Sequence, residues 1–372
     1  LYLTSMIIRL TCAWASVLAY LFFGKTILGQ LGSPLLSMLI FAWLLGIIAW
    51  SAIGVVHEAE ELAHRLGEPY GTLILTLSIV IIEVALIGAV MLGATGAPTL
   101  GRDTMFAVLM IVLNGVVGIG LIFGGLRHFQ QSYNLQGATA YLVVIIPLTV
   151  IALVLPNFTT STSDGTLTNL QAICFSLFTL ALYASFLILQ TGRHSGFFVE
   201  PDMPARSGEV LHQVEEAGHA ASGSILPNIG LLLANILPIV ILAKSLAAVL
   251  DFGIAKLDAP PALGGILIAM VVFTPECITA LRAINANQLQ RAINLCLGAA
   301  ASTLGLTVPA VLGIGLLTGQ PVTLGLSATN MVILAMTLML STLTFTGSRT
   351  TMLEGAVHLC VFFVFLVLVF SP

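Results

Sequence analysis

The chain is 372 residues long, 58% hydrophobic and only 8% charged, with a formal net charge of −4. Soluble domains carry about 25% charged residues, so this composition excludes a soluble fold and defines a polytopic membrane protein. The 12 Lys and Arg form no run or stripe, which leaves nucleic-acid binding without an electrostatic footing.

At about 20 apolar residues per crossing, the chain is predicted to form eleven membrane helices in an all-α fold. They fall at 5–23, 34–56, 71–93, 104–124, 138–156, 168–190, 223–250, 261–281, 289–317, 323–345 and 351–370. The chain begins on Leu1, so native residues are expected before it. The first segment lacks a small-residue cleavage site and is soon followed by another span, so it is expected to be a retained helix rather than a signal peptide. Cys12, Cys174, Cys277, Cys296 and Cys360 are scattered without a CxxC pair, and thiols in apolar segments behave as small hydrophobes. Neither a disulfide framework nor a zinc site follows.

Most breaks between the spans are short, but 191–222 is long and carries Glu200, Asp202, Glu209, Glu215 and Glu216 among several His. It divides the chain into an extra N-terminal helix (1–30), a first set of five helices (31–190), an acidic loop (191–222) and a second set of five (223–372). In each set the second helix holds a glutamate twelve residues after a glycine, Gly71 to Glu83 and Gly264 to Glu276 (83 − 71 = 276 − 264 = 12). The third helix of each set is rich in small residues, VLNGVVGIGLIFGG at 112–125 and LGAAASTLGLTVP at 297–309. Five spans per repeat force the second copy to enter the membrane upside down. Such an inverted repeat is the common plan of secondary transporters with a midplane site.

Counting Lys and Arg in the loops puts eight on the face with the N-terminus, Arg9, Arg65, Arg127, Arg193, Arg206, Arg282, Arg291 and Arg349, against four on the other. The N-terminus and the acidic loop are therefore expected in the cytoplasm and the C-terminus outside.

A carboxylate in the middle of a bilayer costs about 2.5 kcal/mol or more, so it faces the protein interior and is a functional candidate. Two such groups cannot both stay ionised without a partner. Their acceptable states are both protonated, or both ionised around a cation, and a coupled pair titrates as a unit. Mutually exclusive occupancy by protons or metal makes an exchanger if only occupied forms reorient. Pro275 removes a backbone donor and is expected to bend or break its helix beside Glu276, freeing carbonyls for a hard cation that takes six to eight oxygens at about 2.3–2.6 Å. Ser78, five residues before Glu83, and Thr274, two before Glu276, are candidate hydroxyl ligands. Asn114 is either a further ligand or an interhelical hydrogen bond. Ser302 and Thr303 lie at the corresponding place in the second repeat, where they either join the site or bond their own backbone.

The cluster HEAEELAH at 57–64 misses the HExxH zinc signature because position 61 is Glu. Glu58, Glu60 and Glu61 are expected to form a solvated cytoplasmic helix end, with a cation-attracting vestibule as the alternative. Glu209, His212, Glu215 and Glu216 are read as a solvated loop with a regulatory, calcium-sensing role as the alternative. Arg349, Glu354 and His358 are expected to make an interfacial ion pair.

The stretches GEPYGTLILTLSIVIIEVALI and FTPECITALRAINANQLQRAINLCLGAAASTLGLTVP resemble the two alpha-repeats of the cation/calcium exchanger superfamily, most closely those of bacterial ChaA-type calcium/proton antiporters. The resemblance in layout covers nearly the whole chain. It implies an inner-membrane antiporter that exports calcium against inward protons, with Glu83 and Glu276 carrying both and no cofactor. The GNxxE pattern of many relatives is absent, with SIVIIE and FTPE in its place. The second-repeat glutamine of many calcium/proton exchangers is also absent, with Ser302 nearest to it. ChaA-type proteins are associated with sodium and potassium as well, so these ions are the alternative substrates. The sequence leaves oligomeric state open, and it leaves a cation channel as a remote alternative. An intramembrane hydrolase, for which no nucleophile with a partnered His is found in the spans, is weaker still.

Overall fold

The structure, a computed structural model, describes residues 2–29, 32–66, 70–92, 97–199, 225–347 and 349–371. They form eleven principal helices: α1 (Tyr2–Gly29), α2 (Pro34–Leu66), α3 (Tyr70–Met91), α4 (Leu100–His128), α5 (Leu135–Asn157), α6 (Asn169–Thr191), α7 (Leu226–Leu257), α8 (Ala262–Asn285), α9 (Leu289–Thr318), α10 (Ala328–Thr344) and α11 (Met352–Phe370). Ten are long and apolar enough to cross a membrane, and α10 is a shorter apolar helix. At 17 residues it reaches the lower end of the spanning range.

Contacts between the loops show that the chain crosses back and forth. With eleven alternating crossings, the α4–α5 and α10–α11 connections must lie on one face. They do, joined by a two-stranded antiparallel ladder, Gln131 opposite Thr350 and Ser132 opposite Arg349. On the same face Arg127 Nη1 donates to Asn285 Oδ1 at 2.8 Å, linking the ends of α4 and α8. The opposite face must gather the α3–α4, α5–α6 and α9–α10 connections. There Thr323 N donates to Pro98 O at 2.8 Å and Leu324 N to Gly165 O at 3.0 Å.

The two sets of five, α2–α6 and α7–α11, are inverted repeats, and their caps bring them into register. Asn134 starts α5 by accepting from Gln136 N, and Ser327 starts α10 by accepting from Asn330 N; the offset is 193 (327 − 134), equal to that between the glutamates (276 − 83 = 193). Thr168 with Gln171 and Thr351 with Glu354 form capping boxes at the starts of α6 and α11, an offset of 183 (351 − 168). Side chains that satisfy the free amides of a helix start fix where each helix begins.

Packing separates central from peripheral helices. The apolar windows of α4 and α9 are 78% and 72% buried, whereas those of α1, α6 and α11 are 22% buried and face outward. Close approach depends on glycine in two places. A Cβ on Gly265 of α8 would lie 2.7 Å from the Thr104 amide of α4, and one on Gly118 of α4 would lie 2.9 Å from the Leu359 amide of α11. Side chains there would drive these helices apart.

Four expectations need correction or narrowing. The helix predicted to end at 56 runs on to Leu66, and Glu58 is buried instead of solvated, with its Oε1 3.8 Å from Arg9 Nη2. Glu60 and Glu61 are partly exposed, and Glu61 pairs with Arg65 at 3.3 Å. Helix α8 runs unbroken through Pro275. Wider π-helical turns occur elsewhere, at Met110–Val116 in α4, Val150–Val154 in α5 and Thr303–Thr307 in α9. Arg349, Glu354 and His358 form no ion pair among the described residues: Glu354 caps α11 through Thr351, Arg349 reaches Gln130, and His358 is buried within the bundle. Of the segment 191–222, the part up to 199 packs back onto the bundle, with Phe198 against Tyr141 and Phe186 and its carbonyl accepting from Asn294. Glu209, His212, Glu215 and Glu216 lie outside the described residues.

Candidate functional site

Glu83 stands 13 residues into α3 and Glu276 stands 14 into α8 (83 − 70, 276 − 262), about 20 Å along each helix at 1.5 Å per residue. The two helices start from opposite faces and pack against each other. The glutamates therefore meet near mid-depth, close enough for their charges to act on one another. Glu83 is fully buried. Glu276 is partly buried, with its Oε2 shielded. The helices that carry them contribute buried apolar side chains to the bundle core, Ile82 and Leu86 from α3 and Phe273 from α8.

The second repeat supplies the donors for the carboxylate of the first. Thr307 Oγ1 donates to Glu83 Oε2 at 2.8 Å and Thr303 Oγ1 at 3.3 Å. Both threonines lie in the π-helical turn of α9, the kind of distortion often found at functional sites. Hydrogen bonds to a charged group are the strong ones, and they favour the anionic form that a cation needs. Glu83 Oε1 and Glu276 Oε2 have no hydrogen-bond partner. A buried carboxylate oxygen without a donor suits a metal ion or a proton.

The other residues expected here divide. Ser78 donates to Ile74 O at 2.7 Å, Thr274 to Met270 O, and Ser302 to Ala299 O at 3.0 Å. Each hydroxyl proton is spent on its own helix, which leaves oxygen lone pairs as the groups these residues can offer. Asn114 is fully buried in the π-helical turn of α4, where its amide bonds Thr337 of α10 and His358 of α11. Thr307 escaped the sequence reading, although a signal for it was present. It follows Glu276 by 31 residues, as Asn114 follows Glu83 (307 − 276 = 114 − 83).

Among the described residues no three His, Cys, Asp or Glu side chains gather to hold a metal permanently. Replacing Thr307 by Val removes the shorter donor to Glu83 without changing shape. Its loss should raise the KM for the transported cation about tenfold, in keeping with about 1.5–3 kcal/mol for a hydrogen bond to a charged group. Flux measured against cation concentration checks this, and an unchanged KM would mean that Thr307 does not tune Glu83.

An inverted repeat of five helices around two facing carboxylates defines the class as a secondary transporter of cations. The sodium/calcium exchanger protein family matches residues 36–192 and 227–371, and the chain belongs to that family, in its ChaA-type branch. It is 37% identical over 334 residues to the sodium-potassium/proton antiporter ChaA of Escherichia coli, covering 88% of this chain and 87% of that protein. It is 40% identical over 340 residues to the protein y4hA of Sinorhizobium fredii, covering 91% and 90%. Among solved structures, that of native YfkE superposes with a TM-score of 0.72 at 16% identity, covering 98% of this chain and all of that one. The H+/Ca2+ exchanger CAX gives 0.65 at 13%, covering 98% and 89%. The protein is thus a multi-pass membrane antiporter of the cation exchanger family.

Proposed function

We propose that the protein exchanges cytoplasmic calcium for protons from outside, with Glu83 and Glu276 as a shared site. The observation that supports this reading is the pair of facing carboxylates at mid-depth, each with a buried oxygen that accepts no hydrogen bond. Their combined charge of −2 is neutralised by one divalent cation or by two protons, and a low-dielectric interior disfavours any loading that leaves the pair charged. Oxygen ligands with full negative charge are those a hard cation takes, and the hydroxyl oxygens of Ser78, Thr274 and Ser302 are the secondary ligands proposed here. The excess of basic residues in the loops of one face supports a cytoplasmic N-terminus and acidic loop and an outside C-terminus, in a bacterial inner membrane.

A second reading, sodium or potassium exchange for protons, is favoured by the name of the Escherichia coli relative. Vesicles containing the purified protein, acid inside, separate the two. Calcium added outside should alkalinise the lumen as protons leave. A response to sodium or potassium but not calcium would establish the second reading, and a response to none of the three would sink proton antiport.

A further inference from the structure

The site is less symmetric than its repeats. Met110 and Asn114 follow Glu83 by 27 and 31 residues, and Thr303 and Thr307 follow Glu276 by the same 27 and 31 (110 − 83 = 303 − 276; 114 − 83 = 307 − 276). Each set sits in the π-helical turn of the third helix of its repeat. Helix α3 packs on the turn in α9, and α8 packs on the turn in α4. Thr303 and Thr307 reach across to Glu83. The same relation would set the Asn114 amide on Glu276, yet Glu276 Oε2 has no partner.

What holds Asn114 back is visible. Its Nδ2 donates to Thr337 Oγ1 of α10 at 2.8 Å, and its Oδ1 lies 3.0 Å from His358 Nδ1 of α11. The other ring nitrogen, Nε2, is 2.9 Å from Thr344 Oγ1. A neutral ring protonated at Nδ1 satisfies every contact, with Asn114 accepting and Thr344 donating. The bare surfaces of Gly118 and Gly355 let α4 and α11 approach closely enough for His358 to reach Asn114. In the first repeat the counterpart of Thr337 is Val144 (337 − 193) and that of His358 is Phe175 (358 − 183). Neither can hold a hydroxyl, so Thr307 is free to serve Glu83.

We propose that Thr337 and His358 are positioning residues of the exchange cycle, holding the Asn114 carboxamide off Glu276 until cation loading draws it across to donate from Nδ2 to that carboxylate. In the loaded form each glutamate then accepts from the π-helical turn of the opposite repeat. The inference rests on the reading of Glu276 as an exchange carboxylate. Because Thr337 and His358 compete with Glu276 for one amide, they weaken cation loading and favour its release.

The test is a double-mutant cycle on reconstituted protein, with flux measured against whichever of calcium, sodium or potassium the parent takes up. Thr337→Val should lower KM about fivefold, the equivalent of one neutral hydrogen bond, without raising kcat. Thr337→Ser, which keeps the hydroxyl, should behave as the parent. In an Asn114→Ala background Thr337→Val should leave KM where that background puts it. A purely structural role would lower kcat or raise KM, and would do so in both backgrounds. Either that result or an unchanged KM overturns the proposal. Should Thr337→Val fail to fold, His358→Gln takes its place in the same cycle. Glu276→Gln run in parallel separates the two layers: if it still exchanges, the reading of the site fails, and if it is inactive while Thr337→Val leaves KM unchanged, only the present inference fails.

Discussion

Glu276→Gln and Glu83→Gln should each reduce exchange to the level of empty vesicles while leaving the protein folded. The amide keeps the shape of the side chain and removes one unit of charge. Even a unit charge pair at about 4 Å and an effective dielectric of about 20 is worth about 4 kcal/mol, so losing one carboxylate costs about a thousandfold in cation affinity. It also removes one proton site, which breaks the coupling independently of affinity. Stability should move the other way if at all, because an unpaired buried charge is itself costly. The check is flux and thermal midpoint on the same preparations. Transport at the parent's rate by either variant would rule out the shared site, and loss of both flux and fold would show a structural role. The two variants also bear on substrate. A divalent ion needs both carboxylates, whereas a monovalent ion could still bind to Glu83, which Thr303 and Thr307 orient. Residual sodium or potassium binding confined to Glu276→Gln would therefore favour the monovalent reading.

The glutamates and the repeat were legible in the sequence because each depends on a pattern that lipid enforces. A charge in a 20-residue apolar run stands out, and matched positions in two runs imply a common origin for the two halves. What escaped depends on backbone and packing. No residue type marks an i→i+5 turn, so the π-helical segments at Met110–Val116 and Thr303–Thr307 had no signature. Pro275 removes the donor for the Val271 carbonyl, as expected of a proline, but it does not break α8, which runs on from Ala262 to Asn285. Equal distances from each glutamate relate Thr307 to Asn114 (307 − 276 = 114 − 83), a signal that residue type alone does not give.

Glu58 was misread because charge density on a helix end usually means solvent. Here α1 and α7 cover it. Arg9 of α1 lies 3.8 Å from Glu58 of α2 and donates from Nε to Asn235 Oδ1 of α7 at 3.0 Å, with Arg9 and Glu58 side chains both 5% exposed. Gly54 makes the room, since a Cβ there would lie 2.4 Å from both Arg9 Nε and Asn235 Oδ1. The cluster ties the extra N-terminal helix to the first helix of each repeat. Trp14 Nε1 donating to Ala234 O at 3.1 Å and Trp43 Nε1 donating to Ser16 Oγ at 3.1 Å support the same contacts.

Glu58→Ala should therefore destabilise the protein by about 3–5 kcal/mol, the cost of leaving one member of a buried ion pair uncompensated. Arg9→Met combined with Glu58→Met should recover most of that loss, because well-packed apolar residues replace a buried pair at little cost. An SDS-titration midpoint for each variant checks both statements. If Glu58→Ala unfolds with the parent, the pair contributes nothing and the acidic helix end is as solvated as its composition suggests. If the double variant is as unstable as the single one, the cluster matters for its hydrogen bond to Asn235 rather than for its charges. The expected pattern, a large single loss and a small double one, would mean that α1 is fastened to α2 and α7 by a device that any apolar contact of the same shape could replace.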